Sequence, residues 1–318
     1  MKEVRLGDTE TFVSPLCLGT MNFGSRDDFQ SSFNILDYYY QAGGSFIDTA
    51  NSYSFWIPGC VGGESEELLG RWMKKRNNRK DLFIASKVGF AYPGTEFGLK
   101  PNLIKLECEK SLKRLNIETI DLYYAHVDDK NTLLEDTLDA FNDLIEVGKV
   151  RYIGASNFLT WRIEQSYCIS QINNLKGFCC IQQRYSYIPP NPLARFDPQV
   201  SVSDELLDYC INRKITLLAY STLLKGAYNR TDRELPDQYK GPHVEELLNL
   251  VKSIACEVGA TPNQVIIAWM INNYPPIIPV VAASTINQIQ ENCKSLKVSL
   301  EQSHMDRLNS ALKSGSAW

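Results

Sequence analysis

The sequence predicts an α/β fold, a single (β/α)8 TIM barrel with an N-terminal β-hairpin, running as one domain over residues 1–318. Three observations lead there. Short apolar runs alternate with longer segments of helical period, at a spacing of roughly 30–40 residues. No stretch rich in Gly, Pro or Ser interrupts that alternation as a linker would. And no Gly-x-Gly-x-x-Gly turn follows a strand, as an open, doubly wound dinucleotide fold would require.

The elements follow in order. Val4-Arg5-Leu6 and Thr11-Phe12-Val13 flank the turn Gly7-Asp8-Thr9-Glu10 and read as the hairpin. The barrel strands are centred on Leu16–Leu18, Ser45–Ile47, Leu82–Ala85, Leu122–Tyr124, Val150–Ile153, Phe178–Ile181, Ile215–Ala219 and Ile277–Val281. Helices are expected at Ser65–Lys75, at Pro101–Leu115 with proline in its first turn, and at Leu133–Val147 with Gly148 as its stop. Further helices are expected at Thr160–Asn173, Ser203–Asn212, Val244–Val258, Pro262–Asn273 and Thr285–Ser295.

Composition narrows the function. Lys plus Arg number 33 and Asp plus Glu 37, a formal charge of −4, which gives no global attraction for nucleic acid or an anionic membrane. No run of about 18 apolar residues is present, so no membrane span is expected. The charged start Met1-Lys2-Glu3-Val4-Arg5 lacks an apolar signal core. Nine scattered cysteines without a Cys-x-x-Cys pair read as reduced thiols of a cytoplasmic protein. Three histidines leave little material for a metal site, and none is assigned. No exposed apolar stripe marks an oligomer interface, so no oligomeric state is assigned.

In such a barrel the chemistry sits beyond the C-terminal ends of the strands. The residues there are Asp48 to Tyr53, Ser86-Lys87, His126, Ser156-Asn157, Gln182 and Tyr220-Ser221. Singly, each has an ordinary structural reading: a capping Asp, a packed Tyr, a solvated Lys, a structural His. Jointly they are an acid, a phenol, an amine and an imidazole at one mouth. A phenol titrates near ~10 and is a weak acid at neutral pH. An ammonium such as Lys87 is expected to lower that value, with Asp48 keeping the amine charged. His126 would then orient a carbonyl and Tyr53 would protonate it. The missing reagent is a hydride, which a nicotinamide supplies.

These residues resemble the aldo-keto reductase superfamily. Gly43-Gly44-Ser45-Phe46-Ile47-Asp48-Thr49-Ala50-Asn51-Ser52-Tyr53 resembles its first signature. Glu64–Gly70, Ile84–Lys87, Ile120–His126 and Gly148–Phe158 are similar to the motifs that follow, in the same order, within a likeness running from residue 3 to about 298. The resemblance implies reduction of an aldehyde or ketone by NADPH without metal or flavin. It makes Tyr53 the proton donor, tuned by Lys87 and Asp48, and His126 the orienting histidine. It implies that Ser156, Asn157 and Gln182 hold the nicotinamide carboxamide and that Tyr220 stacks on the ring. Gly19, Thr20, Met21 and Asp48 join that cofactor set. So do Ser221, Thr222, Leu223, Lys225 and Gly226 around the pyrophosphate, Ser284 and Gln288 near a 2′-phosphate, and Glu291 and Asn292 at the adenine.

Two departures stand out. Ser221-Thr222-Leu223 replaces the Ser-Pro-Leu common in the family. Ala282, Thr285 and Gln288 replace the bases that often pair with a 2′-phosphate, so NADP(H) is the first expectation and NAD(H) the alternative. The loop after Tyr53 carries Trp56, read with Phe23 and His126 as substrate-pocket wall. Ala227–Pro242 is a candidate lid, and Trp318 a candidate cover. The substrate expected is a small carbonyl compound, a keto sugar among them. The competing functions are a Schiff-base aldolase using Lys87 and a cofactor-binding regulatory subunit.

Overall fold

The computed structural model describes residues 1–315 apart from Thr231, with the side chains of residues 313–315 also outside the description. Trp318 therefore lies outside the described residues. Strands β1 (Val4–Arg5) and β2 (Phe12–Val13) pair antiparallel, Val4 opposite Val13. The remaining eight strands are β3 (Cys17–Gly19), β4 (Phe46–Asp48), β5 (Phe83–Val88), β6 (Ile120–Ala125), β7 (Val150–Ser156), β8 (Cys180–Arg184), β9 (Thr216–Tyr220) and β10 (Ile277–Val281). They pair in parallel in chain order, and β10 closes on β3 with Val280 opposite Cys17.

The helices are α1 (Phe29–Gln41), α2 (Glu64–Arg76), α3 (Pro101–Leu115), α4 (Leu134–Glu146), α5 (Thr160–Ile172), α6 (Asp204–Arg213), α7 (Val244–Glu257), α8 (Pro262–Asn272), α9 (Ile286–Lys294) and α10 (Gln302–Gly315). Eight lie within two residues of the bounds the periodicity predicts. The other two, α1 and α10, were not assigned from the sequence. Helix α1 was visible in one local signal: Asp28 caps it, its carboxylate accepting from Gln30 and Ser31 N–H. Several strands run past their apolar runs because backbone pairing continues where side chains turn polar. Ser86 and Lys87 are thus inside β5, Ser156 inside β7 and Gln182 inside β8.

The barrel interior is packed by Cys17, Phe46, Phe83, Leu122, Tyr124, Cys180, Leu218 and Ile278, and the hairpin adds Leu6 and Val13 to the same cluster. Gly7 N–H donates to Thr216 Oγ1 at 2.6 Å, and the Thr11 and Tyr152 hydroxyls meet at 2.9 Å. The hairpin thereby closes one end of the barrel and leaves the other for the site. Gly154 serves that interior: a Cβ there would sit 2.7 Å from the Tyr124 ring and 2.8 Å from Cys180 Sγ. Among the described residues, no single helix is long and apolar enough to cross a membrane; α7 and α8 pass that test only together, and they meet at 92°.

Candidate active site

Strand β4 stops at Asp48, but the chain keeps following its neighbour. Thr49 N–H donates to Ala85 O at 2.9 Å and Asn51 N–H to Lys87 O at 3.3 Å. That course brings Tyr53 over Lys87. The Lys87 ammonium is fully buried and spends its three N–H donors on Asp48 Oδ2 at 2.5 Å, Thr49 O at 2.7 Å and Tyr53 Oη at 2.7 Å. Tyr53 Oη donates to Asp48 Oδ2 at 3.3 Å, and Gln182 Nε2 donates to Asp48 Oδ1 at 2.9 Å. One carboxylate, one ammonium, one phenol and one amide thus form a closed network.

The electrostatics correct one expectation. Lys87 was expected to draw the phenol down; instead burial, and then the Asp48 charge, push Tyr53 well above its ordinary value. The cause is that Asp48 at 2.5 Å largely cancels the ammonium, so desolvation decides the direction. Burial also draws Lys87 down, against the support of Asp48. Tyr53 therefore keeps its proton through neutral pH.

His126 follows β6 and stays in register, its N–H on Val88 O at 2.8 Å. Its ring packs edge-on against Phe90, with centroids 4.6 Å apart, and against Tyr53 at 6.0 Å. Burial first, and the Lys87 charge second, hold the imidazole well below its usual range, so it is neutral and carries one N–H. Its Nδ1 is buried without a partner.

A second polar group lies beside this one. Asn157 adopts a left-handed backbone, φ 59°. Its Nδ2 donates to His126 O at 2.9 Å, and its Oδ1 accepts from Tyr220 Oη at 2.7 Å. Ser156 Oγ donates to Gln182 O at 2.9 Å. Arg184, which the sequence argument missed, sets its guanidinium 5.5 Å from the Tyr220 ring centroid and 4.3 Å from that of Phe196.

A cavity of about 840 Å³ opens at this cluster. Gly19, Met21, Asp48, Tyr53, His126, Ser156, Asn157, Gln182 and Tyr220 are on its wall. So are Ser221, Thr222, Leu223, Lys225 and Gly226, and, around α9, Ser284, Gln288, Glu291 and Asn292. Lys87, fully buried against Asp48 and Tyr53, is not on the wall, and three more predicted residues are elsewhere. Thr20 is buried and bonds to Asp48 O and Ser65 Oγ. Phe23 belongs to the hydrophobic core. Trp56 is carried outward by its loop, 44% exposed and edge-on to Phe55.

The cavity also recruits Arg26, Asp27, Phe90, Gln199, Asn229, Arg230 and Arg233. Arg26 and Asp27 were findable by the test that found Asp48, as ionisable residues in the loop after a strand. Arg230 and Arg233 lie in the segment read as a lid, which the buried Tyr228 and Tyr239 anchor. At the α9 end, Thr285 Oγ1 caps Gln288 N–H at 3.3 Å, and Ser284 N–H donates to Gln288 Oε1 at 2.8 Å. Glu291 Oε1 accepts from Thr261 Oγ1 at 2.6 Å and Asn229 Nδ2 at 2.7 Å.

A parallel barrel whose open mouth gathers a buried carboxylate, ammonium, phenol and imidazole has the architecture of a barrel enzyme. Comparison with known proteins gives the family. The Aldo/keto reductase family model matches residues 15–313. Norsolorinic acid reductase stcV of Emericella nidulans is 31% identical over 91% of this chain and 75% of its own length. An aryl-alcohol dehydrogenase of Pestalotiopsis microspora is 27% identical over 91% of this chain and 76% of its own. A thermostable aldo-keto reductase, solved with the inhibitor epalrestat, superposes with a TM-score of 0.78 at 28% identity, covering 98% of this chain and all of that one. The chain belongs to the aldo/keto reductase family and is an oxidoreductase.

Proposed function

We propose that this protein reduces an aldehyde or ketone, an aromatic carbonyl compound by preference, using a nicotinamide dinucleotide. The observation that carries the reading is Lys87 Nζ, 2.7 Å from Tyr53 Oη and 2.5 Å from Asp48, with His126 packed against the tyrosine ring. The cavity fits the cofactor: it runs from Tyr53 to the start of α9, with amides and the Tyr220 ring at one end and polar side chains at the other. Ser156, Asn157, Gln182 and Tyr220 would hold the nicotinamide end. When bound, the nicotinamide supplies a hydride to the carbonyl carbon.

The chain's own residues do the rest. The neutral His126 donates its N–H to the carbonyl oxygen and orients it. Tyr53 gives its proton to that oxygen as negative charge develops there. The tyrosinate left behind faces the Lys87 ammonium, which stabilises it more than it stabilised the neutral phenol. Phe90 and the rings of Tyr53 and His126 give the substrate an aromatic wall, which suits the relative named as an aryl-alcohol dehydrogenase. A Schiff base at Lys87 is disfavoured because all three N–H donors are engaged.

The test is a titration with NADPH and NADH by tryptophan-fluorescence quenching, followed by a panel of aryl aldehydes and aryl ketones. Binding of neither cofactor sinks the reading; binding with turnover of the panel supports it.

A further inference from the structure

We propose that Asp27 sets the cofactor preference of this cleft by excluding a phosphate from the adenosine ribose, so that the protein takes NADH over NADPH; the inference rests on the nicotinamide reading above. If the hydride donor lies at Tyr53, the adenosine must lie at the other end of the cavity, where Asp27, Ser284 and Gln288 share the wall.

Three features there oppose a dianion. First, Asp27 is 9% exposed, and its Oδ2 accepts from Ser284 Oγ at 3.2 Å across the cleft, so a carboxylate occupies the position a phosphate acceptor would need to be positive. Second, two N–H groups at the start of α9 are already taken by its own side chains, Gln288 N–H by Thr285 Oγ1 and Ser284 N–H by Gln288 Oε1, which leaves fewer donors for a phosphate. Third, Ala282, Thr285 and Gln288 carry no positive charge. Of the arginines on the cavity wall, Arg26 is exposed and adjoins the Asp27 charge, Arg230 is paired with Asp232, and Arg233 donates to Lys225 O at 3.5 Å.

The same carboxylate has a favourable use. An ionised carboxylate accepts from the two hydroxyls of an unphosphorylated ribose, the arrangement that selects NAD in other dinucleotide folds. Asp27 and Ser284 together supply an acceptor and a hydroxyl for that diol. Phosphorylating the ribose replaces a donor by a dianion and turns an attraction into a like-charge contact.

The experiment is a fluorescence titration of the wild type, Asp27→Asn and Asp27→Ser with NADH and with NADPH. The wild type is expected to bind NADH about tenfold more tightly than NADPH. Both variants are expected to narrow that ratio about tenfold, chiefly by tightening NADPH, while retained NADH binding reports an intact fold. A wild type that prefers NADPH overturns the inference, as does an unchanged ratio in both variants that still bind NADH. Binding of neither cofactor to the wild type fails the nicotinamide reading itself, and the inference with it.

Discussion

Gln182 Nε2 lies 2.9 Å from Asp48 Oδ1, while the other oxygen of that carboxylate takes Lys87 and Tyr53. A residue proposed to touch the nicotinamide therefore touches the proposed proton donor's network as well. Gln182→Met removes a donor from Asp48 and leaves more of its negative charge facing the phenol. The phenol is expected to hold its proton more tightly still. The alkaline limit of turnover should shift to higher pH while kcat falls; the kcat–pH profile reads this, and an unmoved limb argues that Gln182 serves the cofactor alone.

Tyr53→Phe deletes the proposed proton donor and little else, since the ring stays packed on His126. Turnover should fall by about 10²–10⁴-fold, with cofactor affinity nearly unchanged. Steady-state rates beside a fluorescence titration check it, and wild-type-like turnover would remove Tyr53 from the mechanism.

Lys87 and Asp48 are both withdrawn from solvent, 0% and 1% exposed in their side chains. Lys87→Met strands a buried charge, and the expected cost is about 3–5 kcal/mol in urea unfolding. Adding Asp48→Asn should recover much of that stability without recovering turnover, which separates the structural part of the pair from its chemistry.

His126 is held neutral well below the ordinary imidazole value by burial. Above about pH 6.5 folded and unfolded chains are both neutral at this position and it contributes no pH dependence. Below that pH the unfolded chain binds a proton that the folded one refuses, so stability falls as pH falls, by up to about 1.4 kcal/mol per unit from this group. His126→Asn should flatten the decline in urea midpoint between about pH 6.5 and 5.

Gly70 lies in α2 where α3 ends, and a Cβ there would sit 2.4 Å from Arg114 O. The neighbour is backbone and cannot rotate away. Gly70→Ala should cost about 1–3 kcal/mol in thermal or urea unfolding, with the active-site cluster untouched.

The sequence by itself determined the alternation of strands and helices, because one-sided burial imposes a period on the chain wherever an element packs. It also determined which ionisable residues stand at strand ends, since Asp48, Lys87 and His126 follow directly on apolar runs. It did not show α1 or α10, and it placed Phe23 and Trp56 in a pocket that neither lines. Only tertiary structure decided those points, because the direction a loop side chain takes depends on contacts from distant segments. Tyr53 shows the same limit. Its neighbours were legible, but the direction of its titration depends on how far solvent is excluded and on 2.5 Å between Asp48 and Lys87. Asp27 and Ser284 stand 257 positions apart, and only closure of β10 against β3 makes them neighbours.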